Sequence, residues 1–185
     1  MLRLRRTTER QNAAAAAASE APGREQEEAG PLLVTRGVER SFDVGGQKLH
    51  VLKGIDMELR PRRLIMLRGR SGSGKTTLLN LIGGLDTPTR GEIHFGKYAF
   101  HRMSDDERTI VRRKEIGFIF QAYALLPLLS AYENVELSLR MAGVPKSEWN
   151  DRVTECLELV GLGKRMHHRP FELSGGEQQR VAIAK

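Results

Sequence analysis

Cysteine is nearly absent. Cys156 is the only one in the 185 residues, so there is no internal disulfide framework and no cysteine-based zinc pattern. No apolar run approaches the roughly 18–20 residues needed to cross a bilayer; if the protein acts at a membrane, something else must hold it there. Aromatic residues make up only 5%, which leaves no evident stacking platform for single-stranded nucleic acid. There is no internal repeat and no apolar core of a secretory signal at the start. After Leu4, residues 5–30 hold almost no large apolar side chain and are rich in alanine, arginine and glutamate. Such a segment cannot bury enough surface to offset the entropy of ordering, and residues 1–30 read as a disordered tail.

What remains is a chain with 39% hydrophobic and 29% charged residues, the balance of a soluble globular domain of ordinary size. The formal net charge of +7 fits a surplus of solvated lysine and arginine; a nucleic-acid or anionic-membrane footprint is the competing reading.

From residue 31 the pattern is that of a folded domain. "LLVTRGVERSF" and "LHVLKGIDMEL" have strand character and flank the turn-prone "DVGGQ". "RRLIMLRG" and "IGFIFQ" are short apolar runs that suit buried strands, and "GEIHF" suits another. "KTTLLNLIGG" is helical, with glycines to stop it. Three later helix starts share one device. Ser104, Ser130 and Ser174 are each followed three residues on by Glu107, Glu133 and Glu177, the capping box in which serine and glutamate satisfy orphaned amides. Trp149, Val153, Cys156, Leu157 and Val160 fall at helical spacing, with Gly161 as the stop; Trp149 and Cys156 read as packing residues.

Between an apolar run and a helix stands "GRSGSGKTT": Gly69, Arg70, Ser71, Gly72, Ser73, Gly74, Lys75, Thr76 and Thr77. Gly69, Gly74, Lys75 and Thr76 match the phosphate-loop spacing G-x-x-x-x-G-K-[ST]. The glycines let successive amides point inward as an anion nest. The helix start adds its positive end. That dipole contributes only about 0.3–1 kcal/mol at an exposed site, so several amides and the Lys75 cation must converge on the β- and γ-phosphates, with Thr76 offering its hydroxyl to magnesium. The loop is read as binding a nucleoside triphosphate.

"LSGGEQQRVAIAK" closes the chain. Ser174, Gly175, Gly176 and Glu177 open a second helix with free amide donors; the Ser174 hydroxyl either caps that helix or turns toward an anion. With both stretches in view the sequence resembles the ATP-binding subunit of an ATP-binding-cassette (ABC) transporter, from about residue 32 onward. "GRSGSGKTT" resembles the Walker A loop, "LSGGEQQRVAIAK" the signature motif, Gln121 the Q-loop glutamine and Phe42 the aromatic that stacks on adenine. "GGLDTPTRGEI", "LLPLLSAYENVELSL" and "HHRPFELSGGE" look most like the branch serving lipoprotein-releasing, macrolide-export and cell-division permeases.

The resemblance implies an α/β fold, a P-loop NTPase of the ABC ATPase type over residues 31–185. It has an antiparallel β subdomain, a parallel-sheet core and an α-helical subdomain at about 122–170. It implies ATP and Mg2+ as cofactors, with Lys75 on the β- and γ-phosphates and Thr76 and Gln121 on magnesium. It further implies a homodimer or a paired ATPase subunit, in which Ser174, Gly175, Gly176 and Glu177 meet the partner's ATP in trans. A transmembrane permease subunit would hold the protein on the cytoplasmic inner face of the plasma membrane, for export or extraction. No nucleic acid is expected. A cassette ATPase of DNA repair or chromosome structure is disfavoured by the short spacing between the two motifs, without cysteine pairs or heptads.

The resemblance stops at Lys185. The family's next strand carries an aspartate for magnesium and the catalytic glutamate, followed by a dimer-interface loop and a switch histidine; none is assigned here, and none of the five histidines takes the switch position. The chain is therefore read as the front part of a transporter ATPase that should not itself hydrolyse ATP at a useful rate. The alternative is a non-hydrolysing nucleotide-binding or regulatory module. In this fold the missing strand lies beside "LIMLRG", whose unpaired edge would favour aggregation and leave the isolated chain unstable; a cooperative melt from a monodisperse sample would refute that.

Overall fold

The computed structural model describes residues 3–4 and 30–185. The tail expected over residues 1–30 lies outside the described residues except at Arg3, Leu4 and Gly30. The chain divides into two units, Met1–Thr109 and Ile110–Lys185. No helix among the described residues is long and apolar enough to cross a membrane.

The first unit contains β1 (Arg3–Leu4), β2 (Leu33–Val44), β3 (Gln47–Leu59), β4 (Leu67–Arg68), α1 (Lys75–Ile82), β5 (Arg90–Phe95) and β6 (Tyr98–Ala99). Its main sheet is antiparallel in the order β3-β2-β5-β6. β2 and β3 form the hairpin that the sequence suggests. Val44 pairs with Gln47 across the two-residue turn Gly45–Gly46, where both φ angles are positive (58° and 79°). Primed turns of this kind match the right-handed twist of the strands. Leu33, Val38, Leu52 and Ile93 are buried on this sheet, as are Leu78 and Leu81 of α1, three residues apart on one helix face. α1 touches β3 and β5. The loop before it is thus held by the sheet.

Two strands expected from the sequence are not formed as expected. In "RRLIMLRG" only Leu67–Arg68 is a strand, paired antiparallel with Arg3–Leu4, while Leu64 is 96% and Met66 62% exposed. "IGFIFQ" has no strand at all, and Ile119 and Phe120 are exposed. The parallel-sheet core is therefore not formed among the described residues. The physical reason is that a strand exists only by pairing: an apolar run buries itself when neighbours flank it, and no described strand lies alongside residues 62–66 or 116–121. Phe118 and Phe120 instead stack on each other, ring centroids 5.7 Å apart.

α2 (Asp105–Glu115) runs across the division, and the second unit goes on with α3 (Ala131–Ala142), α4 (Trp149–Leu159) and α5 (Gly175–Ala184). Its core is Ala131, Val135, Val153, Leu157, Leu162, Leu173 and Val181, with Cys156 and Val160 packed partly buried against it. Trp149 is half-buried and donates its indole N–H to the Val144 carbonyl at 2.8 Å. All three serine–glutamate capping boxes are present. At Ser104 and Ser130 the serine amide donates to the glutamate Oε2 at 2.7 Å, and the glutamate amide donates back to the serine hydroxyl. The α3 start is further tied down by the Ala131 and Tyr132 amides, which donate to the His168 and Met166 carbonyls.

Candidate functional site

The first candidate site is the loop between β4 and α1, and it is shaped by what glycine permits. Gly74 is buried and caps α1 with φ 86°. A Cβ there would sit 2.9 Å from Leu52 Cδ2 and 3.1 Å from Val51 Cγ1. The position demands both a left-handed backbone and the absence of a side chain. At Gly69 a Cβ would meet the Ser73 hydroxyl at 2.6 Å, so the loop closes tightly on itself.

Inside this loop the polar groups are unbalanced toward donors. The Lys75 ammonium donates to the Gly69 and Arg70 carbonyls at 2.9 and 2.8 Å. The Ser73 hydroxyl oxygen is buried and has no hydrogen-bond partner. The amides of Lys75, Thr76 and Thr77 precede the first helical bond, from the Leu78 amide to the Gly74 carbonyl at 2.9 Å, and no side chain caps the helix. The first turn carries no acidic residue. Thr76 is exposed and Thr77 half-buried, while Arg70, Ser71 and Gly72 form the exposed rim. A run of donors with two cations, Lys75 within and Arg70 on the rim, and no anion is suited to a polyphosphate.

Phe42 is 36% exposed on β2, with the Arg40 guanidinium 4.6 Å from its ring centre. Arg40 is fixed in turn by Asp86 at 2.9 Å. A face of the Phe42 ring is thus already occupied by a cation.

The second candidate site belongs to the second unit. Ser174 caps α5, and of the two roles open to its hydroxyl the structure shows the cap. Its amide and hydroxyl each donate to Glu177 Oε2 at 2.8 Å, and the Glu177 amide returns to the hydroxyl at 3.3 Å. These bonds, first from the Ser174 amide and then from its hydroxyl, hold the Glu177 carboxyl below the ordinary glutamate range, with Arg165 and Arg180 adding to the effect. Gly175 and Gly176 are exposed.

Gln121 is exposed and opens a turn that runs against α5. A Cβ on Gly175 would lie 3.7 Å from the Tyr123 hydroxyl, and the Lys185 ammonium donates to the Ala124 carbonyl at 3.0 Å. Burial pushes the Lys185 pKa down. Tyr123 and Ala124 both have positive φ, 61° and 50°. Two successive non-glycine residues in that region are strained and persist only where the surroundings over-determine them. Asn134, fully buried, supplies part of that constraint. Its amide donates to the Leu126, Leu129 and Ser130 carbonyls, and its Oδ1 accepts the Leu126 amide at 2.8 Å. Sequence reasoning missed Tyr123, Ala124 and Asn134. The first two carry no glycine or asparagine signal, and a polar residue inside an amphipathic helix reads as surface.

A family model described as ABC transporter matches residues 52–185. An uncharacterized ABC transporter ATP-binding protein of Thermotoga maritima is 50% identical over 144 residues, 78% of this chain and 62% of the relative. The macrolide export ATP-binding/permease protein MacB of Wolinella succinogenes is 46% identical over 155 residues, covering 84% of this chain and 24% of the relative. The lipoprotein-releasing system ATP-binding protein LolD of Saccharophagus degradans is 43% identical over 155 residues, 84% of this chain and 68% of the relative. Among solved structures, the ATP-binding cassette MJ0796, in a dimeric post-hydrolysis state bound to ADP and Pi, superposes with a TM-score of 0.71 at 38% identity. That match covers 82% of this chain and 67% of the other. The chain thus spans about three-fifths of the length of the Thermotoga relative. On the extent of the family match and the identity to these relatives, the chain belongs to the ABC transporter family.

Proposed function

We propose that this chain binds ATP with Mg2+ and serves as the ATP-binding part of a transporter. The observation that carries the reading is a loop with unmet donors: Lys75 resting on the Gly69 and Arg70 carbonyls at 2.9 and 2.8 Å, beside the unpartnered Ser73 hydroxyl and the uncapped start of α1. Phosphate oxygens are acceptors that would satisfy those donors. Lys75 would leave its carbonyls for the β- and γ-phosphates, while the Ser73 hydroxyl and the first amides of α1 hold the remaining oxygens. Thr76 and Gln121 would hold magnesium, which supplies positive charge to the phosphates. Phe42 would stack on adenine, exchanging the Arg40 contact for the base.

Ser174, Gly175, Gly176 and Glu177 would meet the ATP of a second copy or a paired ATPase subunit. For that Ser174 has to trade Glu177 for a phosphate oxygen, so closure of the pair would depend on the γ-phosphate and reverse when it leaves. The turn after Gln121 leads into Leu126 and Leu128, 45% and 79% exposed, an apolar surface suited to a permease subunit. That contact would place the protein on the cytoplasmic inner face of the plasma membrane. The lipoprotein-releasing and macrolide-export relatives favour export or extraction, with cargo chosen by the membrane subunits. ATP hydrolysis and its coupling to transport are proposed for the whole protein, of which these residues supply the nucleotide loop and the signature helix.

The test is a titration of a fluorescent ATP analogue with Mg2+ into the full-length protein and its Lys75→Ala variant. Removing a cation that hydrogen-bonds phosphate costs about 1.5–3 kcal/mol, up to roughly 100-fold in affinity. Equal affinity in the two proteins would overturn the assignment.

A further inference from the structure

The sheet of the first unit carries a side-chain cluster that the nucleotide reading does not use. Glu92 and His94 stand two residues apart on β5 and so project from the same face of the strand. β5 pairs with β6 through His94–Ala99, and the 3-10 turn Phe100–Arg102 then carries His101 back over the strand. Glu92 Oε2 and His94 Nε2 are 3.1 Å apart, and the two imidazole rings meet edge to face with centres 5.1 Å apart. One ligating atom from each of the three residues lies within 4.8 Å of the others.

We propose that Glu92, His94 and His101 form a binding site for a divalent transition metal of the Zn2+ class. Around a tetrahedral zinc with bonds of about 2.0–2.1 Å, ligand atoms stand roughly 3.4 Å from one another. The Glu92–His94 pair, at 3.1 Å, is close to that spacing, and rotation of half-exposed side chains would adjust the rest. The buried Nε2 of His101 has no hydrogen-bond partner, while its Nδ1 lies 3.2 Å from both the amide and the carbonyl of Ile93. In the tautomer whose Nδ1–H donates to the Ile93 carbonyl, Nε2 presents a lone pair with nothing to receive it. A metal-bound histidine is ordinarily arranged this way, its far nitrogen donating to a backbone carbonyl. Two imidazoles and one carboxylate favour zinc over magnesium or calcium, which prefer all-oxygen shells. Three protein ligands leave the fourth position to water. The ion would clip the 3-10 turn to β5 and stabilise that edge of the sheet by mass action.

The experiment adds Zn2+ alone to the nucleotide-free full chain in competition with a chromogenic chelator, and records the visible spectrum with Co2+ in its place. One Zn2+ per chain is expected, with the intense absorption of four-coordinate Co2+. His94→Gln and His101→Ala should each weaken binding at least tenfold, while His167→Ala, exposed in the second unit, should not. His94→Gln, in a polar and partly exposed position, decides the matter if His101→Ala fails to fold. Absence of binding at micromolar Zn2+, or affinity unchanged in His94→Gln, would mean that the cluster is an ordinary ion pair with a histidine packed edge to face, and would overturn the proposal. ATP affinity is read separately, so failure here leaves the phosphate-loop assignment standing, and the reverse.

Discussion

Two helices of this chain begin at glycine-containing loops, and they begin in opposite chemical states. α1 starts at Gly74, with no side chain to cap it and no acidic residue in its first turn. α5 starts at Ser174, whose hydroxyl and amide are locked to Glu177 in a closed capping box. Every helix presents orphaned amides and a positive end at its start. In α5 those groups are satisfied from within; in α1 no side chain satisfies them, and the proposed phosphate would. On the proposed function, the contrast would separate a site ready before its ligand arrives from one that has to exchange an internal partner to receive it.

The largest effect is expected where the open start depends on glycine. Gly74→Ala would put a Cβ 2.9 Å from Leu52 Cδ2 on a backbone at φ 86°. The left-handed conformation alone costs a non-glycine residue about 1–2 kcal/mol, and overpacking adds about 1–3. Urea unfolding should show a loss of at least about 2 kcal/mol, and ATP titration a collapse of affinity; an unchanged midpoint and affinity would mean that this loop geometry is not required.

Next in size is a substitution that makes α1 resemble α5. Thr77 stands three residues after its N-cap, as Glu177 does after Ser174. Thr77→Glu should place a carboxylate where the phosphates would go and weaken ATP binding by roughly tenfold, while leaving the helix no less stable. Unaltered affinity would show that the α1 start is not the phosphate site.

The converse change opens α5. Ser174→Ala removes the cap and should cost about 1 kcal/mol, within the usual range of 0.5–2 for such positions, read by urea denaturation; Ser174→Asp should restore most of it. The smallest effect is one of pH. Glu107, Glu133 and Glu177 are all held below the ordinary glutamate value, first by the amide of their capping serine. A depressed carboxylate pKa contributes stability above the unfolded value of about 4.3 and loses it as pH falls through the folded one. Amide protection at the α2, α3 and α5 starts, taken relative to the intrinsic exchange rate at each pH, should therefore fall together on acidification below about pH 4, with protection at the α1 start, which has no such glutamate, unmoved.

Much of this was legible because it is local. The Gly45–Gly46 hairpin, the three serine–glutamate boxes and the phosphate loop are each specified within a few consecutive residues. The runs at 62–69 and 116–121 were not, since whether an apolar run becomes a buried strand depends on neighbours far away in sequence. Asn134 escaped for a related reason: its value lies in the carbonyls of a loop that folds back over it, and spacing along α3 does not reveal that. Glu92, His94 and His101 were not singled out either, as the hairpin between β5 and the 3-10 turn is what brings them together.

The resting place of Lys75 has a consequence in time. Its ammonium sits on two carbonyls of its own loop, so the loop holds its shape around an internal cation before any nucleotide is near. If phosphate binds here as proposed, that side chain has to swing, and rotamer hops take picoseconds to nanoseconds where loop rearrangements take nanoseconds to microseconds. On the proposed function, nucleotide capture would call for no rearrangement of the loop backbone, whereas at the second site the Ser174–Glu177 bonds would have to break before a phosphate could take their place.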